Sequence, residues 1–96
     1  MRFAVAARVV SDEARRVGLR VPAFKCPPRI AGAHRTVRRA GKDVVVAVQA
    51  KGRPWGAVIA DLVEGVVVAN ELSGVDAGRA RALLWEAIAG QEAVAA

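Results

Sequence analysis

An α+β fold is the expectation: an N-terminal helix, a small antiparallel β-hairpin sheet of two or three strands, then two C-terminal helices. Three observations lead to it. Apolar residues recur at helical spacing over 1–18, 54–72 and 74–89; the segment 44–51 is instead dense in valine; prolines and glycines punctuate the joins. The 96 residues make a single domain, 1–96, long enough for a modest core and too short for two.

In the first helix Phe3, Ala6, Ala7, Val10, Ala14 and Val17 share a face, with Arg8, Asp12, Arg15 and Arg16 opposite. Gly18 follows as a stop. Residues 19–33 form a Pro-rich connection holding Pro22, Pro27 and Pro28. The alternation of Leu19, Val21 and Ala23 allows a short strand there, at a sheet edge because Pro22 cannot donate to a ladder. Cys26-Pro27-Pro28 is extended, with Phe24 and Ile30 available to tuck against the core.

The hairpin occupies 34–53. His34–Arg39 forms one strand, Ala40–Asp43 the turn, and Val44–Lys51 a second strand. That second strand is apolar on both faces up to Gln49, so it belongs at the centre of the sheet. Alternation puts Arg35, Val37 and Arg39 on one side of the first strand and Thr36 and Arg38 on the other.

The central helix, 54–72, starts on Pro54 at its first position and stops before Ser73-Gly74. Trp55, Val58, Ile59, Leu62, Val66 and Ala69 form its main apolar face, widened by Val63 and Val67, and Asp61, Glu64 and Glu71 mark a narrow polar stripe. A helix this apolar requires cover on more than one side. Ser73 and Asp76 match a capping box for the last helix, 74–89, whose Ala80, Leu83, Leu84, Ala87 and Ile88 face the core. Arg81 and Trp85, four apart, are spaced for a cation–π pair, and residues beyond 89 are expected to fray.

Composition bounds the class. A hydrophobic content of 54% and a mean hydropathy of +0.28 are high for a short soluble chain, and the excess is Ala and Val. A monomer of this size hides such a surface poorly, so a homo-oligomer, in the simplest case a homodimer, is expected. Asp61 and Glu64 exclude the central helix as a membrane span, Arg8 interrupts any signal-like run, and the lone Cys26 fits a reducing compartment. The expected location is the cytoplasm, with no membrane partner.

Charge is unevenly divided. Residues 1–53 hold thirteen Lys/Arg against three Asp/Glu, a net +10, whereas residues 54–96 hold two against six, a net −4. Either a basic face meets phosphate or the two halves meet each other. On the second view the chain is a small basic accessory protein acting by protein–protein interaction, with Asp61, Glu64 and Glu71 as partner-binding residues. On the first it binds nucleic acid through the phosphate backbone, using Arg29, Arg35, Arg38, Arg39, Lys42, Lys51 and Arg53. Lys51 and Arg53 precede a helix N-terminus, which itself favours an anion. The order helix, strands, helix resembles double-stranded-RNA-binding domains in topology, without their lysine-rich signature on the second helix.

Catalysis has little to stand on. Cys26 and His34 are the only thiol and imidazole, with no third group nearby to orient the base, and one Cys with one His cannot close a zinc site. Gln49-Ala50-Lys51 resembles the Gln-x-Lys half-motif of restriction-endonuclease-like nucleases, which implies a nearby metal-sharing Asp. Asp43, six residues earlier on the same strand, lies ~20 Å away at ~3.3 Å per residue. No shared metal follows, and a nuclease-like enzyme is the remote alternative. No catalytic residue, metal or cofactor is assigned.

Overall fold

The computed structural model describes residues 2–30 and 32–95, with side chains described to residue 90. The elements in order are α1 (Phe3–Arg16), β1 (Ala23–Lys25), β2 (Arg35–Ala40), β3 (Asp43–Val48), α2 (Trp55–Ala69) and α3 (Gly74–Ala95). This is the α+β architecture expected, with the three helices gathered on one side of a three-stranded sheet.

The sheet order is β1-β3-β2, so β3 is central, as its double-sided apolarity predicts. One detail differs from the all-antiparallel sheet expected. β2 pairs with β3 antiparallel, but β1 joins β3 in parallel through Phe24 opposite Val46. The reason lies in residues 26–34. Lys25 and Thr36 both pair with Ala47, so this connection must span two strand spacings, roughly 10 Å, across the end of β3. A Pro-rich extended segment suits that passage.

The hairpin turn is also tighter than expected. Ala40 pairs with Asp43, leaving Gly41 and Lys42 as a two-residue turn opened by Gly41 at φ 63°. At the other end the pairing stops at Val48, so Gln49, Ala50 and Lys51 leave the strand for a turn at Gly52.

The core sits between α2 and β3. Val44, Val46 and Val48 point at Val58, Leu62 and Val66, and α1 adds Ala6, Val10 and Ala14 while α3 adds Leu84 and Ile88. Gly65 lets the layers meet: a Cβ there would stand 2.8 Å from Val46 Cγ1 and 3.1 Å from Phe24 Cε1. Leu83, expected inside, is instead exposed, because the buried line of α3 runs Ala77, Ala80, Leu84, Ile88.

Helix ends account for the remaining boundary differences. Pro54 is the residue before α2 rather than its first, with ψ 145°, and its carbonyl accepts from Ala57 and Val58. α2 stops at Ala69, three residues before Leu72, because Glu71 adopts φ 54°. The Glu71 N–H then donates to the Val68 carbonyl and Leu72 to Val67, a Schellman closure. α1 ends in the same way, with Gly18 at φ 79° and Leu19 donating to Ala14. α3 begins at Gly74, and the Ala77 N–H donates to the Ser73 carbonyl, so Ser73 stands at the expected cap position, but among the described hydrogen bonds neither its side chain nor that of Asp76 closes the box; the helix runs to Ala95 rather than ending near 89. Among the described residues no helix is long and apolar enough to cross a membrane.

Candidate functional site

The two faces of the sheet are unequal. Register sets Arg35, Val37 and Arg39 of β2 beside Val48, Val46 and Val44, on the side of the helices. Thr36, Arg38 and Ala40 share the opposite face with Val45 and Ala47 of β3 and with Ala23 and Lys25 of β1. On this second face the β1 and β2 side chains are exposed, and only Val45 and Ala47 are half-buried between their neighbours.

This inequality sorts the predicted cations. Arg35 and Arg39, on the inner side, reach Asp61 of α2 and Glu71 just beyond its end. Arg35 Nη1 donates to Asp61 Oδ1 at 2.8 Å, and Arg53 Nη2 donates to Asp61 Oδ2 at 2.6 Å while its Nη1 donates to the Gln49 carbonyl at 2.6 Å. Asp61 and Arg53 are 14% and 13% exposed, so this pair is nearly out of water. One carboxylate between two guanidiniums leaves the cluster with a net charge of +1. Arg39 donates to Glu71 in an exposed pair. The third predicted acid, Glu64, accepts from Arg81 Nε and Nη2, a bidentate geometry across α2 and α3. The hydrogen bond that Arg81 donates to Glu64, and then the charge of Glu64, hold the Arg81 guanidinium above its ordinary pKa. Its guanidinium is therefore engaged by Glu64, where the spacing alone suggested Trp85.

Asp61, Glu64 and Glu71 thus all have their charges met inside the chain. The remaining predicted cations do not. Arg29 in the 26–34 connection, Arg38 on the outer face, Lys42 in the turn and Lys51 after β3 are exposed and make no ion pair among the described residues. By chain position Lys42 lies in the turn at one end of the sheet, Arg29 and Lys51 in the connections at the other end, and Arg38 on the outer face between. Six residues of β2 separate the ends by roughly 20 Å.

Two cations were missed. Lys25 lies on the outer face in the row of Ala47 and Thr36, which only the parallel pairing of β1 reveals. Arg20 is held by Asn70: the Arg20 N–H donates to Asn70 Oδ1 and Asn70 Nδ2 donates to the Arg20 carbonyl, both at 2.8 Å. Asn70 read as helix interior in the sequence, and its place just past the end of α2 supplies this clamp.

Cys26 and His34 are both exposed, and the His34 carbonyl accepts from Gln49 at the open end of the hairpin. Gln49 and Lys51 follow β3, and Asp43 begins it, so strand length separates them. Among the described residues no three His, Cys, Asp or Glu side chains converge as metal ligands. Compared with protein-family models, with curated proteins and with solved structures, the chain matches none.

Proposed function

We propose that this protein is a nucleic-acid-binding module that holds the phosphate backbone on the outer face and ends of its small sheet. One observation carries the reading: Asp61 and Glu64 of α2 and Glu71 just after it are paired with Arg35, Arg39, Arg53 and Arg81, while Arg29, Arg38, Lys42 and Lys51 keep no acidic partner among the described residues. A surface of that kind attracts a polyanion and releases its counterions. The outer face carries no aromatic side chain on its three strands, so it offers no stacking platform, and the contacts are to phosphate and sugar rather than to bases.

Electrophoretic retention of one oligonucleotide at low salt tests this. Arg38→Gln and Lys25→Gln are expected to weaken retention several-fold each, whereas Arg35→Gln, whose charge is already met, weakens it less in protein verified as folded. Equal loss from Arg35→Gln and Arg38→Gln, or no retention at all, removes the proposal.

The second reading is the homo-oligomeric, protein-binding accessory role. It is supported by apolar side chains on α3, where Val75, Leu83 and Trp85 are exposed. A dimer mass by light scattering that Leu83→Glu converts to a monomer supports it; a monomer at all concentrations counts against it.

A further inference from the structure

A second basic feature lies away from the outer face of the sheet. Where α1 and α2 end, the hairpin turn and the start of β1 enclose an open cleft of about 730 Å³. Its cations are Arg15, Arg20, Arg39 and Lys42, and Pro22, Val44 and Ala69 form apolar parts of its wall. Arg20, Arg39 and Ala69 also line an adjoining hollow of about 240 Å³ that reaches Asn70 and Glu71. The cleft is far larger than one small ion needs and falls in the range of small-molecule sites.

We infer that this cleft binds a phosphate monoester of nucleotide size, its phosphate between Arg20, Arg39 and Lys42 and its uncharged body on Val21 and Ala23, the apolar lining residues that are not buried. Arg39 already holds an oxyanion, the Glu71 carboxylate, at this place. That pair is exposed on both sides, so exchanging Glu71 for a dianion costs little. Arg20 is fixed at its backbone by Asn70, which reduces what must be ordered on binding. Of the helix-end carbonyls, which disfavour an anion, those of Ala14, Val66, Val67 and Val68 accept a hydrogen bond at the two helix closures, whereas that of Ala69 in the cleft wall is an unfavourable group. The other unfavourable groups are Asp43 and Glu71 themselves, and Arg15 is shared with Asp12 through an exposed pair. Of its cations the inference shares only Lys42 with the nucleic-acid reading, and Arg39→Ala against Arg38→Gln tells the two apart, because Arg39 lies on the inner face and Arg38 on the outer.

Calorimetric titration with adenosine monophosphate, adenosine and inorganic phosphate separates the parts. The monophosphate is expected to bind, the nucleoside not to, and phosphate alone to bind at least about tenfold more weakly. Glu71→Gln, which frees Arg39 without removing it, is expected to tighten the monophosphate by about two- to fivefold. Glu64→Gln, an identical charge change outside the cleft, leaves it unchanged, as does Arg38→Gln. Arg39→Ala and Lys42→Ala are each expected to weaken it by about tenfold or more, with melting curves to verify folding. Oligonucleotides with 5′-phosphate and with 5′-hydroxyl ends then distinguish a strand end from a free small molecule as the source of the monoester, and either source keeps the site. No binding of the monophosphate, binding of adenosine or phosphate as tight as the monophosphate, or no gain from Glu71→Gln overturns it.

Discussion

Single residues decide how tightly the layers join and where the helices stop. Glu71 is the described non-glycine residue with positive φ, a conformation that costs an L residue roughly 1–2 kcal/mol. Its exposed pair with Arg39 offsets at most about 1 kcal/mol of that. Glu71→Gly is therefore expected to raise stability by about 1 kcal/mol, read as a higher midpoint in urea, even though it removes an ion pair. Gly65 has the opposite logic: Gly65→Ala improves helix propensity but drives a methyl into Val46 and Phe24, and a net loss of about 1–2 kcal/mol is expected. Asp61 has the most at stake. With it removed, Arg53 is left almost fully buried beside Arg35, so Asp61→Ala is expected to cost about 3 kcal/mol, against about 1 kcal/mol or less for Glu64→Ala on its more open pair.

Among the elements, β2 combines pairing on one edge with freedom on the other. The bond from Gln49 to the His34 carbonyl fixes the phase of the antiparallel ladder, so Thr36, Arg38 and Ala40 exchange hydrogen bonds with β3 while Arg35, Val37 and Arg39 direct theirs outward. Proline scanning reads this phase directly: Arg38→Pro is expected to abolish the hairpin and sharply lower the melting temperature, whereas Val37→Pro is expected to cost less than half as much. Arginines on this edge also discourage strand-to-strand aggregation. The elements themselves were largely legible in the sequence, because period and punctuation determine them: the faces of α1 and α2, the central place of β3 and the shared side of Arg35 and Arg39 all follow from spacing, though not which side faces the helices. What was hidden depends on long-range pairing. The parallel edge strand, the two-residue turn and the outward position of Leu83 emerge only when strands and helices meet, and an αL glutamate gives no local sign of ending a helix.

At the scale of the whole molecule, the division into a basic and an acidic half was legible, but its outcome was not. The sequence left open whether the halves meet each other or meet other molecules. In the fold the halves meet in part: Asp61 of α2 and Glu71 just after it pair with the inner arginines, Asp61 with two of them, and the outer and terminal cations remain exposed. Spacing predicted which arginines share a side, but not that Asp61 would serve two of them or that Asn70 would hold Arg20. The proposed function rests on the exposed remainder. Its most direct test is the dependence of oligonucleotide affinity on salt, measured for the native chain and for Arg29, Arg38, Lys42 and Lys51 replaced one at a time by Gln. Logarithmic slopes of about −2 to −4 are expected for the native chain, falling in magnitude by roughly 0.7–0.9 with each replacement. A slope near zero, or one that none of the four replacements changes, would contradict the account.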